Sequence, residues 1–176
     1  MMRAGETPWF GSQPVPRLIL NGNAKLRVAV GVFHEIERLH DAINGLTVAG
    51  CSEGDIVLLC EPNAMKGRLD KAFGTNPDAG GSSIRLLVRD AGERSTALPP
   101  HASNGHSNTS LTQDQILHFE TWIDAYFADG LDHQLKRGGC LLLCPVLSPE
   151  SELTVSKVLL SHSAGPVQLH DIRSAV

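Results

Sequence analysis

The chain states one pattern twice. An apolar strand, an amphipathic stretch and a second apolar strand run from Leu26 to Cys60, and the same succession returns from Cys140 to Ile172. Each unit is too short to bury its own apolar face, so the two must pack against each other. That requirement narrows the architecture sharply and says nothing about a reaction.

The first unit opens with LRVAVGVF, Leu26 to Phe33, whose β-branched run reads as a central strand. Ile36, Leu39, Ile43 and Leu46 follow at helical spacing and form one apolar stripe. Gly50 supplies a stop. Asp55 to Cys60 is expected to be the second strand. The second unit begins with the strand Cys140 to Val146. A helix follows, with Ser148 as N-cap, Pro149 at its first position and Val155, Val158, Leu159 and His162 on its inner side. Pro166 to Ile172 closes the sheet.

Between the units lies a different kind of sequence. Pro62 to Phe73 is expected to be a short helix, Thr75 to Ser82 a glycine-rich turn, and Ile84 to Val88 an extra strand. Residues 90–110 carry almost no apolar side chains and read as a mobile loop. Thr112 with Gln115 has capping-box spacing, and Leu111 with Ile116 has hydrophobic-staple spacing. The helix that they open is expected to carry Ile116, Phe119, Ile123, Tyr126 and Gly130 on one face and to run on to Gly138-Gly139.

These elements imply an α+β fold: a ferredoxin-like split βαβ antiparallel sheet of order 4-1-3-2 with two helices on one face. A single domain over 25–176 would hold an insertion at 61–137, behind a loose arm at 1–24. Trp9 and Phe10 stand out in that arm as an aromatic pair suited to docking on its own domain or on a neighbouring subunit. The open sheet face and the edge strands need cover, supplied by the inserted helix or by a second copy; a homodimer is expected.

Composition excludes several classes. Net charge is −4 and the Lys and Arg residues are scattered, so the basic stripe that nucleic acid requires is missing. No segment approaches the roughly 18 apolar residues of a membrane span. The first residues lack the continuous apolar stretch of a signal peptide, and the four cysteines suit reduced thiols, so the cytoplasm is the expected compartment.

Some of the residues are similar to a known family. Tyr126 to Cys144, with Arg137-Gly138-Gly139 before an apolar strand, resembles a run in bacterial general-stress and low-temperature-induced proteins. Val158 to Gly165 resembles that family's helix end, and Val30 to Phe33 entering a helix closed by Ala49-Gly50 is similar to its opening. The resemblance covers about residues 26–60 and 126–172 and implies a fold and an association with stress, without a defined reaction. Many relatives carry a Gly- and Ala-rich apolar segment between their halves, suited to membrane contact. Here a polar loop and an amphipathic helix replace it.

Motifs with chemistry are sparse. His34 and His40 sit six residues apart, which turns the second roughly 240° from the first and breaks the zinc-protease pattern. No GxSxG elbow, P-loop or dinucleotide fingerprint occurs. Gly80-Gly81 precedes a strand rather than a helix and reads as a turn. Cys140 and Cys144 lie about 13 Å apart along a strand and read as small core side chains. Glu35 with Glu37, and Glu150 with Glu152, are placed where negative charge offsets a helix dipole. His40, His162 and His170 are expected to cap or pack against element ends.

One edge gathers candidates. In the expected topology His34, Cys60 and Cys140 share an end of the sheet, within reach of His101, His106, His118 and His133, a ligand set that zinc accepts. The leading expectation is nonetheless a non-enzymatic, stress-associated regulatory or protein-interaction module. Its interaction residues are Trp9, Phe10, Trp122 and Tyr126, and it needs no cofactor. The alternative is a small-molecule or metal sensor at the edge near His34 and Cys60. An enzyme ranks third, since no nucleophile and base pair can be named.

Overall fold

The computed structural model describes residues 26–62, 68–69, 84–89 and 111–172. The arm 1–24 with Trp9 and Phe10, the 75–82 turn, the 90–110 loop with His101 and His106, and all of the 62–73 segment but residues 62 and 68–69 lie outside them.

The elements follow in the order β1 (Leu26–Phe33), α1 (Ile36–Val48), a 3-10 turn (Glu53–Asp55), β2 (Val57–Cys60), β3 (Arg85–Val88), α2 (Gln113–Leu117), a second 3-10 turn (Phe119–Thr121), α3 (Ala125–Lys136), β4 (Cys140–Val146), α4 (Pro149–His162) and β5 (Gln168–Ile172). The fold is α+β, with one five-stranded sheet of order β3-β2-β4-β1-β5. β4 runs antiparallel to both β1 and β2, and β5 antiparallel to β1. β3 pairs parallel with β2, so the sheet is mixed where an antiparallel one was expected. Asp55 belongs to the 3-10 turn rather than to the strand, and β2 starts two residues later.

Alternation along the strands divides the core in two. Ala29 and Phe33 of β1 and Cys140, Leu142 and Cys144 of β4 face α1 and α4, where Leu39, Ala42, Ile43, Leu46, Val155 and Leu159 complete one cluster. Val28, Val30 and Val32, with Leu141 and Leu143, face the opposite way and are covered by Ile116, Phe119, Ile123, Leu131 and Leu135 of the 111–136 segment. Strands covered on both sides need not alternate polar and apolar residues, which is why β1 and β4 read as continuous apolar runs. Each fully buried Leu or Phe here contributes about 1.5–3 kcal/mol relative to exposure. The second sheet face is therefore covered by the chain itself.

Pro145 sits inside β4 without breaking it. β2 pairs with β4 only as far as Leu143, so from there on β4 has β1 alone as its neighbour. The missing N–H of Pro145 then leaves no gap in the β2 ladder.

The 111–137 segment is not one helix. Thr112 and Gln115 do form the expected capping box, but α2 ends after five residues. The Trp122 indole donates to the Gln115 carbonyl at 2.7 Å and so occupies the acceptor that the next helical turn would use. The Asp124 carboxylate then accepts from the Tyr126 N–H and opens α3 afresh. Phe119 and Ile123 keep their inward positions, whereas Tyr126 leaves the expected stripe and is 81% exposed.

Candidate functional site

The strand register assembles the sheet end that carries the candidate ligands His34, Cys60 and Cys140. Phe33 and Cys60 both lie opposite Cys140. Cys60 and Cys140 are fully buried in the α1–α4 cluster. Burial, with Cys60 nearby, pushes the Cys140 thiol well above its ordinary range. His34 follows a residue that points into that cluster, so its own ring is turned to the other side of the sheet. There its Nε2 lies 2.9 Å from Gln134 Oε1 of α3. The sheet thus brings the two cysteines together and separates His34 from them. His133 is exposed, and His118 is exposed beside Asp114 and Glu120. Among the described residues no group of three or more His, Cys, Asp or Glu side chains is placed to hold a metal ion.

A concave space does exist at this end, one residue further along. A cleft of about 330 Å³ is lined by the carboxylates of Glu61, Glu120, Asp129 and Asp132, the cations of Arg89 and Lys136, and Phe119 with Ala128. Arg89 is held there from three directions. Its N–H donates to the Cys60 carbonyl at 2.8 Å, its guanidinium donates to Asp132 at 3.1 Å, and its charge lies 5.1 Å from the Phe119 ring centroid. Lys136 pairs with the same Asp132 carboxylate, which raises the ammonium pKa. Glu61 and Arg89 directly follow β2 and β3, a position that could have marked them in the sequence.

The second candidate surface is aromatic. Tyr126 and Phe127, at the start of α3, meet edge to face at 5.5 Å. Phe127 and Trp122 each meet the His170 ring at 6.0 Å, in the middle of β5 rather than at its end. Burial lowers the pKa of His170, while Asp124 and Asp171 oppose the shift. Trp122 is half-buried, Phe127 is 44% exposed, and Tyr126 stands furthest out.

The remaining candidates take structural places. Glu150 and Glu152 lie in the first turn of α4, and Glu37 in that of α1. Glu152 also accepts from Arg27, which bonds Asp171 as well and so ties β1 to β5 and α4. His40 pairs with Asn44 on the surface of α1. No helix among the described residues is long and apolar enough to cross a membrane.

No protein-family model, curated protein or solved structure matches the chain.

Proposed function

We propose that the chain is a ferredoxin-like domain that acts by association: a stress-associated regulatory or interaction module that pairs with a second copy of itself. Support for the architecture comes from the order β2-β4-β1-β5, in which β1-α1-β2 and β4-α4-β5 are two strand–helix–strand units interleaved in one sheet. The link to stress rests on the resemblance over residues 26–60 and 126–172.

The observation that carries the association reading is the aromatic surface of Tyr126 and Phe127 beside β5. Two aromatic rings are left in water there, next to a strand whose outer edge pairs with no other strand among the described residues. An edge of this kind invites strand addition, and a self-related copy offers the same edge and the same rings. Native mass spectrometry and light scattering over a concentration series test it. A dimer that the double substitution Tyr126→Ser, Phe127→Ser converts to monomer supports the reading, and a chain that stays monomeric throughout overturns it.

The cleft favours a second reading, a small-molecule sensor at the sheet end beyond Cys60, where Glu61, Glu120, Asp129 and Asp132 outnumber Arg89 and Lys136 and suit a small cationic ligand. Stabilisation of the chain by small diamines in a thermal-shift screen, lost in Glu61→Gln, is its expected signature.

A further inference from the structure

Cys51 and Cys144 are separated by 93 positions, and the turn that ends α1 brings them together. Ala49 closes the helix and Gly50 adopts φ +92°, a left-handed conformation that glycine takes without strain. The Gly50 N–H donates to the Thr47 carbonyl and the Cys51 N–H to the Leu46 carbonyl, both at 3.0 Å. This paired bonding reverses the chain and sends the residue after the glycine back over the last helical turn. Cys51 therefore packs against the edge of the α1–α4 cluster. Its Sγ lies 3.7 Å from Sγ of Cys144. Cys51 is half-buried and reachable from solvent, whereas Cys144 is fully buried in the interior of β4.

We propose that Cys51 and Cys144 are a peroxide-oxidisable thiol pair that closes to a reversible disulfide. In the first step the Cys51 thiolate attacks one oxygen of a hydroperoxide. The O–O bond breaks, the sulfur is oxidised to a sulfenic acid, and the other oxygen leaves as water or alcohol after taking up a proton. In the second step the Cys144 sulfur attacks the Cys51 sulfur and expels water, with the Cys144 proton going to the departing hydroxide. Two thiols and one hydroperoxide thus become one disulfide, one water and one water or alcohol. A dithiol reductant restores the pair by exchange.

The division of roles follows the surroundings. The Cys144 thiol donates to the Cys51 sulfur and holds the Cys51 pKa down at about 7, while the same bond, and after it burial, pushes Cys144 up. Asp55, on the 3-10 turn, pushes both upward without reversing the order. The sulfurs must close from 3.7 Å to about 2 Å, a movement that the turn at Cys51 absorbs more readily than the paired strand at Cys144. The bond would close the span that holds β2, β3, α2 and α3. It forms on the α1–α4 side of the sheet, opposite Tyr126 and Phe127, so its outcome is separate from that of self-association.

The test is oxidation of the full chain with hydrogen peroxide, thiol blocking, and non-reducing peptide mass mapping. The expected result is loss of two of the four thiols, a Cys51–Cys144 linked peptide within one chain, and recovery of all thiols with dithiothreitol. Cys51→Ser alters a half-buried position and should keep its three remaining thiols under the same treatment. In Cys144→Ser, Cys51 should persist as a sulfenic acid that dimedone traps. Retention of all four thiols, a Cys60–Cys140 link, or a bond between two chains through Cys51 would each overturn the proposal.

Discussion

Gly138 and Gly139 separate α3 from β4, and they are needed for different reasons. Gly138 has φ +85°, and its N–H and that of Gly139 satisfy the Leu135 and Gln134 carbonyls at the helix end. Gly139 has an ordinary backbone but no space: a Cβ there would meet the Gln134 carbonyl oxygen at 2.8 Å and the His34 ring at 2.9 Å. Gly138→Ala should lower stability by about 1 kcal/mol through backbone strain. Gly139→Ala should lower it by about 1–3 kcal/mol through overpacking, and urea unfolding of both variants checks the ranking. The Arg-Gly-Gly run is thus readable in sequence as a helix stop, whereas the His34 contact behind it is not. His170 gives a pH prediction. Its folded pKa is lowered from 6.5, chiefly by burial, so the unfolded chain takes up the proton at higher pH. The contribution is fully present above about pH 6.5 and is lost as pH falls toward the folded pKa. Asp124 and Asp171 oppose this loss, while Gln168, Trp122 and Phe127 contribute no charge. A flatter fall in melting temperature below pH 6.5 for His170→Gln than for the unaltered chain is the expected outcome.

At the scale of elements, caps decide where the 111–137 segment breaks. The heptad-like run Ile116, Phe119, Ile123, Tyr126 reads as one stripe, because periodicity registers apolar spacing and is blind to which side chain captures a carbonyl. The Trp122 indole and the Asp124 carboxylate both compete locally with the helix, and together they split it. Asp124→Ala removes the α3 cap and should destabilise the chain by about 1 kcal/mol. Trp122→Phe frees the Gln115 carbonyl at a similar cost of about 1 kcal/mol. Chemical denaturation followed by circular dichroism measures each, and equal stability of either variant with the parent would contradict this account. Ser148 and Pro149, by contrast, mark the start of α4 in sequence and do so in the structure, where Ser148 and Ser151 exchange the two bonds of a capping box.

Across the whole molecule, Phe119 connects the 111–136 segment to the sheet and to the cleft. It is fully buried in the Val28–Val32 cluster, and its ring face carries the Arg89 guanidinium. Phe119→Ala should lower stability by about 3–5 kcal/mol and loosen Arg89; calorimetry together with amide exchange at Arg89 reads both effects. The α+β class, the five strands and the helices α1 and α4 follow from local pattern: apolar runs, helical spacing, Ser-Pro starts and glycine stops act over a few residues and are legible in one chain. The side of the sheet on which a residue falls is not local. A shift of one position sends a side chain to the opposite face, and that parity places Cys60 and Cys140 on one side and His34 on the other. The pairing of β3 beside β2, the self-coverage of the second face by the 111–136 segment and the 3.7 Å approach of Cys51 to Cys144 likewise depend on contacts between distant parts of the chain. Sequence alone determined the doubled strand–helix–strand units, because each is set by its own hydrophobic period and caps. Tertiary structure decided which chemical groups meet, because packing two covered faces onto one sheet couples positions that no local spacing relates.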